Sequence, residues 1–174
     1  MLAACKPPPT DADIAVSEPA APRGPSEPID SPDTEGAIWA DSAVPARIIY
    51  GIAGEPSLIS LGCIEAQGVP TIRLTRYAQA DANAKAFAAL IGNGHISRIP
   101  IDATEVDGEW LWQAELPASD PDWEVLTGRR EVAVTIPGAG RVVLNPSPRP
   151  GVLIESCIAS APAETISGDA APVQ

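Results

Sequence analysis

The segment KAFAALIGNGHISRIPI, residues 85–101, decides whether the chain is predicted to be mainly β or a mixture of helices and strands. Its alanines favour a helix, but the Asn93-Gly94 dipeptide between two apolar runs is typical of a two-residue hairpin turn. We therefore predict a β-hairpin, with a helix over residues 79–91 as the alternative. The arms of the predicted hairpin are Lys85 to Ile91 and His95 to Ile101.

Short strand-like segments separated by turn signals continue this pattern on the N-terminal side of the hairpin. Between Val69 and Tyr77, Ile72 and Leu74 alternate with polar residues, as in a strand with one buried and one wet face. Two earlier segments are predicted to be strands as well, namely Arg47 to Tyr50 and Leu58 to Cys63.

Turn signals also organise the C-terminal side of the hairpin. Asp107-Gly108 is a second hairpin turn and leads into a strand in which Trp110 and Trp112 share one face. The sequence PGAG, residues 137–140, then predicts a turn within a third hairpin. The strands of this region are Glu109 to Glu115, Arg130 to Ile136 and Arg141 to Leu144.

Helical signals are confined to two places. Asp120 is a suitable N-cap, Pro121 fits the first helical position, and Gly128 is predicted to end the helix. The closing segment, Val152 to Cys157, is predicted to be a helix or a strand. Together these elements predict a mainly β fold, either a compact antiparallel sandwich or a small barrel, with one or two short helices.

The chain divides into three parts by composition. Residues 6–45 contain nine of the 20 prolines and eight acidic against two basic residues. Such a segment buries too little apolar surface to offset the entropy of ordering it. We predict a disordered tether over residues 5–45, a globular β-rich domain over residues 46–160 and a disordered tail over residues 161–174.

The sequence Leu2-Ala3-Ala4-Cys5 resembles the lipobox of bacterial lipoproteins. This resemblance implies that residues 1–4 are the remnant of a signal peptide and that Cys5 carries acyl chains. It also implies a lipid-anchored protein of the cell envelope, and Lys6 after the cysteine fits sorting to the periplasmic face of the outer membrane. The alternative is a cytoplasmic β protein in which the motif occurs by chance.

The chain contains three cysteines, and lipidation of Cys5 would leave an even pair. In an oxidising compartment Cys63 and Cys157 are then able to form a disulfide that spans most of the globular domain. The alternative is that both are buried free thiols.

Net charge limits the kinds of partner. The chain carries a net charge of -12, and no basic stripe is present in its sequence, so we predict no nucleic-acid partner. The predicted partners are the membrane, through the lipid anchor, and an unknown envelope protein or glycan. No apolar run reaches the roughly 18 residues of a membrane-spanning helix.

Trp110 and Trp112 are the best candidates for a binding surface. Exposed, they would form an aromatic platform for a glycan or a partner protein; buried, they belong to the core, which is the interpretation we favour in a chain with so few aromatic residues. Arg129 and Arg130 are a second possible binding surface, for an anionic ligand, although neutralising nearby carboxylates and carbonyls is the simpler role.

His95 is the single histidine and lies beside the predicted Asn93-Gly94 turn. A hydrolase would need it as a general base, close to a serine and an acid, and the sequence has no Gly-x-Ser-x-Gly elbow. We therefore predict a non-catalytic binding or structural module without a cofactor, and keep an envelope hydrolase using His95 as the alternative.

Four acidic residues surround Gly108 and raise the question of a calcium site. Their spacing is not that of an EF-hand loop, so a solvated hairpin end is the favoured interpretation and no metal site is predicted. The four are Asp102, Glu105, Asp107 and Glu109.

The globular part, over about residues 46–157, resembles a group of small exported bacterial proteins. The resemblance implies an exported single domain and no known activity. It rests on the order of short motifs along the chain: Cys63, Leu74-Thr75-Arg76, the block from Leu116 to Pro121, Leu126, Arg129 and Ile154-Glu155-Ser156-Cys157.

Overall fold

The computed structural model describes residues 27–161, which form a nine-stranded antiparallel sheet curled into a nearly closed barrel. This confirms the predicted mainly β class. The strands are β1 (Ile38–Asp41), β2 (Arg47–Gly51), β3 (Ile59–Ala66), β4 (Val69–Gln79), β5 (Lys85–Gly92), β6 (His95–Val106), β7 (Glu109–Pro117), β8 (Val132–Thr135) and β9 (Arg141–Leu144).

The strands follow the spatial order β1-β2-β3-β4-β7-β6-β5-β8-β9. The predicted hairpin at residues 85–101 is confirmed as β5 and β6, whose last pair is Gly92 with His95. Its turn residues, Asn93 and Gly94, have φ angles of 51° and 84°, as a two-residue primed turn requires. Asp107 and Gly108 make the same turn between β6 and β7, with φ angles of 52° and 87°.

Alternation of side chains explains why residues 85–91 form a strand in spite of their alanines. Ala88 and Leu90 are completely buried inside the barrel, whereas Phe87 is 60% exposed on its outer face. In β6 the same period of two buries Ile99 and Ile101. Burying one face of each arm in the common core outweighs the weak helix preference of the alanines.

Two short helices cover one end of the barrel. The first is a 3₁₀ helix, Pro121–Leu126, whose predicted cap is confirmed: Asp120 Oδ1 accepts a hydrogen bond from the Asp122 amide at 2.9 Å. It ends at Leu126, slightly before the predicted stop, and buries Trp123. The second, α1 (Arg149–Ala159), shows that the closing segment is a helix.

A disulfide ties α1 to the barrel. Cys63 on β3 and Cys157 on α1 are bonded, with their Cα atoms 5.6 Å apart and 94 residues apart in sequence. The predicted pairing of these two cysteines is therefore confirmed. Within residues 27–161, neither helix has the length and apolar content needed to cross a lipid bilayer.

The predicted boundary between tether and domain at residue 45 is wrong. β1 pairs with β2, Ala37 and Trp39 are buried, and the Trp39 ring packs on Tyr50 with centroids 5.2 Å apart. Residues 27–36, called the strap below, also lie on the barrel, where the Ile29 amide donates to Gly138 O at 3.0 Å. Residues 1–26, with the proposed lipidation site Cys5, and 162–174 lie outside the described part of the chain.

The strap depends on a close approach at Gly140. A Cβ at this position would lie only 3.0 Å from Asp30 O, and the φ angle of +71° favours glycine. Beside it, the Arg141 amide donates to Ser31 Oγ at 2.9 Å. The strap therefore packs directly against the backbone of the turn between β8 and β9.

Candidate functional site

The end of the barrel opposite the helices is the open end. Register places there the loop before β3, the loop between β4 and β5, and the turns at Asp107-Gly108 and at residues 137–140. The mouth of a β-barrel is a common location for ligand sites, because loops surround a cavity that the sheet holds rigid.

The pairing of β4 with β7 is irregular at this end. Arg76 pairs with Trp112 of β7, but the next β7 residue towards the open end, Leu111, pairs with Gln79. Tyr77 and Ala78 are therefore extra residues on β4, and such a β-bulge bends the strand and re-aims its side chains. A cleft lies beside the bulge, and Tyr77 and Ala78 line part of it.

This cleft, called the bulge cleft below, has a volume of about 740 Å³. Trp110 is half-buried and packs against the core, while Tyr77 is held by a hydrogen bond from its hydroxyl to Ser60 Oγ at 3.1 Å. The backbone is fixed as well, since the Ala80 amide donates to Trp110 O at 2.8 Å. The lining consists of Pro56 and Ser57, Tyr77 to Gln79, and Gly108 to Leu111.

A second hollow, called the mouth cavity below, lies under the strap and has a volume of about 440 Å³. Its walls are mostly apolar, and Trp112 forms part of them. Gln79 lines both the bulge cleft and the mouth cavity. The other walls are Glu27 to Ile29, Ala80 and Asp81, Ala84 to Ala86, and Pro137 and Gly138.

The two tryptophans predicted as one candidate binding surface differ in their exposure. Both occupy the same face of β7, but Trp112 is only 6% exposed and belongs to the core, as the favoured interpretation expected. Trp112 therefore cannot form part of an exposed platform. Trp110, nearer the open end, is half-buried and remains accessible from the bulge cleft.

A buried arginine lies beside Trp112. Arg76 is 3% exposed, and its guanidinium donates to the carbonyls of Leu58 at 3.1 Å and Ala139 at 3.3 Å. Burial lowers the pKa of Arg76 because the charged form loses hydration. Among residues 27–161 it forms no ion pair.

His95 lies at the opposite end of β6 from the clefts. Its side chain is 47% exposed, and its Nδ1 is 3.7 Å from Glu124 Oε2. The nearby Ser97 is buried and donates its hydroxyl to Asp122 O at 2.9 Å. His95 lines neither the bulge cleft nor the mouth cavity.

The remaining predicted residues lie apart from the open end or on the surface. Arg129 and Arg130 are exposed, and the Arg130 amide donates to Asn93 Oδ1 at 2.8 Å, next to the helix-covered end. Asp102, of the acidic group, pairs with Lys85 at 2.6 Å. Within residues 27–161 no three potential metal-ligating side chains are grouped.

Sequence reasoning found Trp110 but missed its neighbours. Arg76 had a usable signal, because it continues the even-numbered buried positions that contain Ile72 and Leu74. Tyr77 and Gln79 had none, since a bulge depends on the pairing of β4 with a strand more than 30 residues away. Long-range register therefore determines which side chains meet at this site.

Comparison with known proteins found no family model, no curated protein and no solved structure that matches this chain.

Proposed function

We propose that this domain is a non-catalytic binding module that takes a saccharide in the bulge cleft, carried in the cell envelope on a chain anchored through a lipid at Cys5. One observation carries the binding proposal: Trp110 and Tyr77 line the same accessible cleft of about 740 Å³. That volume lies within the usual range of about 300–1,000 Å³ for small-molecule sites.

The chemistry of the lining fits a sugar. Aromatic rings offer flat apolar surfaces for the C–H faces of a pyranose, and their polar edges tolerate a wet site. Ser57, Gln79 and Glu109 also line the cleft, and their side chains carry a hydroxyl, an amide and a carboxylate. These groups supply both donors and acceptors for sugar hydroxyls.

The site is also preorganised. The Tyr77 hydroxyl is held by Ser60, and Trp110 packs partly against the core, so neither ring loses much freedom when a ligand binds.

A hydrolase using His95 is the alternative. His95 has a carboxylate at 3.7 Å, but it lies at the other end of β6 and lines neither cleft. This separation favours binding over hydrolysis.

The envelope location draws on two features of the chain. The lipobox-like sequence before Cys5 provides the attachment point, and Lys6 favours the periplasmic face of the outer membrane. The disulfide between Cys63 and Cys157 supports an oxidising compartment, since structural disulfides are rare in the reducing cytosol.

A saccharide array followed by calorimetry tests the binding proposal. We expect saturable binding of the full chain to at least one oligosaccharide class. Trp110→Leu keeps an apolar side chain but removes the ring, and should weaken that binding about tenfold, the loss expected for one stacking contact.

Phe87→Leu is the matched control, because Phe87 is an exposed aromatic residue on the outer face of β5, away from the cleft. It should bind the saccharide as the unmodified chain does. Absence of saturable binding across the array, or equal binding by Trp110→Leu, would refute a saccharide site in the bulge cleft.

A further inference from the structure

The outside of the barrel carries exposed apolar side chains in adjoining register positions. On the hairpin of β5 and β6, Ile91 pairs with Ile96, and Phe87 lies on the same face of β5. Ile96, Phe87 and Ile91 are 68%, 60% and 52% exposed. Ile91 also pairs with Ala133 of β8, which pairs with Val143 of β9, so an apolar row crosses four strands. This face of β6, β5, β8 and β9 is called the outer wall below, and contiguous exposed apolar surface is typical of an interaction site.

The next row of the outer wall begins and ends with an arginine. Ala89 pairs with Arg98 on one side and with Thr135 on the other. Thr135 in turn pairs with Arg141, and both arginines are exposed. Because residues two apart in a strand share a face, Arg98 lies beside Ile96. The apolar row and this charged row are therefore neighbours.

Two more arginines lie at the turn of the hairpin. Arg129 and Arg130 are exposed, and the Arg130 amide donates to Asn93 Oδ1 at 2.8 Å, next to the pair formed by Ile91 and Ile96. Within residues 27–161, none of these four arginines forms an ion pair. Their charges are therefore available to a partner.

The carboxylates at the border of the outer wall leave this positive charge in excess. Asp102 and Glu115, on β6 and β7, are bound in ion pairs to Lys85 and Arg73, with 2.6 Å between the charged atoms in each pair. Glu131, the residue before β8, is exposed and opposes the four arginines alone, since Glu124 faces His95 at 3.7 Å. The outer wall thus carries excess positive charge on a chain whose net charge is -12.

Exposed apolar side chains beside unpaired arginines match the chemistry of an anionic lipid surface. Isoleucine and phenylalanine enter the boundary between headgroups and acyl chains, while guanidinium groups stay at the phosphates. Lipids adapt to the convex outside of a barrel, whereas a protein partner needs a complementary surface. Phe87, Ile91 and Ile96 line neither the bulge cleft nor the mouth cavity.

A second copy of the chain fits this surface less well. In a two-fold dimer the same patch meets itself, so the arginines of one copy would face those of the other. Like charges brought together in this way oppose association. Charge therefore favours an anionic partner over a second copy.

We propose that the outer wall docks on an anionic membrane, inserting Phe87, Ile91 and Ile96 among the lipids and placing the arginines at the phosphates. This contact belongs to the folded domain and does not depend on acyl chains at Cys5. The bulge cleft is lined from β4, β7 and the loop before β3, and none of these belongs to the outer wall. Docking therefore leaves the bulge cleft uncovered.

Vesicle cosedimentation tests the proposal on the full chain carrying Cys5→Ala, so that no acyl chain contributes. Saturable binding is expected to vesicles made of equal parts of phosphatidylcholine and phosphatidylglycerol. Vesicles of phosphatidylcholine alone should bind at least about tenfold more weakly, because the arginines lose their anionic partners. Absence of saturable binding to the mixed vesicles, or equal binding to both kinds, would overturn the proposal.

Charge variants locate the contact. Arg98→Gln should weaken binding to the mixed vesicles about fivefold, the loss expected for one arginine near an anionic surface. Its control is Arg47→Gln, which changes the net charge equally but lies on β2, and which also removes an arginine without an ion pair among residues 27–161. Equal losses for these two variants would overturn the assignment of the contact to the outer wall.

Apolar variants test insertion. Ile96→Gln should weaken binding to the mixed vesicles about tenfold, because an isoleucine no longer leaves water. Val69→Gln is the matched control, since Val69 is also an exposed apolar residue directly after a hairpin turn, but begins β4. It should bind as the parent chain does, and an equal loss for both variants would overturn insertion at the outer wall.

A measurement on the intact outer wall covers variants that do not fold. In nanodiscs of the mixed lipids containing a spin-labelled lipid, the methyl signals of Ile91 and Ile96 should lose intensity, and those of Val69 should not. Binding without this loss overturns the proposal. A dimer in solution that Ile96→Gln makes monomeric, together with absence of vesicle binding, also overturns it, because the outer wall would then contact a second copy.

Discussion

At the scale of single residues, Tyr50 on β2, the strand next to the edge strand β1, bonds to the opposite edge of the sheet. Its side chain is completely buried; its hydroxyl donates to Val143 O at 2.8 Å and accepts from the Asn145 amide at 3.0 Å. β1 and β2 thereby meet β9 through a side chain, where no backbone ladder connects the edges. Burial raises the pKa of Tyr50, with Glu131 adding to the rise and the bond from Asn145 opposing it.

Replacing Tyr50 with phenylalanine should lower the free energy of unfolding at pH 7 by about 1–3 kcal/mol, because two partly buried backbone groups lose their partner. Urea denaturation measures this difference. Tyr77→Phe, which removes one bond to a side chain, should cost less. A loss for Tyr50→Phe no larger than for Tyr77→Phe would contradict the role of Tyr50.

The same pair of proteins gives a pH dependence. Since the folded pKa is raised, the unfolded chain releases the Tyr50 proton first, near its ordinary value of 10.0, and binds fewer protons than the folded chain above that pH. Stability of the unmodified protein should therefore fall as pH rises through 10, and the deficit of Tyr50→Phe should shrink. A constant deficit between pH 8 and pH 11 would argue against a raised pKa.

The face on which a side chain lies was predictable where it follows from the alternation of residues along a single strand. Alternation in the sequence placed Trp110 and Trp112 on one face, and the structure keeps them there. It could not tell that one lies deep in the barrel and the other near its rim, because depth depends on how far each strand extends. The positions of Tyr77 and Gln79 in the cleft were not predicted, because the bulge that places them depends on the pairing of two strands far apart in the sequence.

At the scale of elements, the disulfide connects the C-terminal helix to β3. α1 has 11 residues, too few for a stable isolated helix, so its place depends on packing and on this bond. The closed loop spans 94 residues, long enough for a large effect on the unfolded chain.

The double variant Cys63→Ala, Cys157→Ala should lose about 2–5 kcal/mol of stability, within the range for removing native disulfides. Thermal unfolding with and without a reducing agent measures this. The reductant should lower the melting temperature of the unmodified chain and leave that of the double variant unchanged. Equal melting temperatures for both proteins under oxidising conditions would contradict the expected contribution.

Elements with local signals were predicted correctly. Asn93-Gly94 and Asp107-Gly108 form the expected turns, and Asp120 caps the 3₁₀ helix, because each depends on a few adjacent residues. β1 was missed since proline-rich, acidic surroundings hid the buried Trp39 within a segment that is polar on average. The contact between the Trp39 and Tyr50 rings helps hold β1 on the barrel although the segment is polar overall.

At the scale of the whole molecule, the barrel has two unlike ends. One is covered by helices and tied by the disulfide; the other carries the bulge cleft and the mouth cavity. The sequence indicated a sandwich or a barrel without distinguishing them. The order of the strands in the sheet could not be predicted from the sequence, because pairs such as β4 with β7 and β5 with β8 join segments far apart in the chain.

The proposed lipid anchor at Cys5 is tested on the full chain. Expressed in a bacterium from any upstream start, the protein should incorporate labelled palmitate and show the mass of an acylated Cys5 at its N-terminus. Cys5→Ala should abolish incorporation, whereas the control Cys157→Ala should retain it. An unlabelled product that keeps Met1 would contradict the proposed anchor.

The strap also sets the order in which the molecule would give way under mechanical load. A pull applied to the chain at residue 27 first reaches the single backbone bond between Ile29 and Gly138 and the contact at Gly140. Behind these, β1 is fastened to β2 by four residue pairs. Force would peel the strap before it sheared the sheet, so the mouth of the barrel would be uncovered while the sheet remained folded.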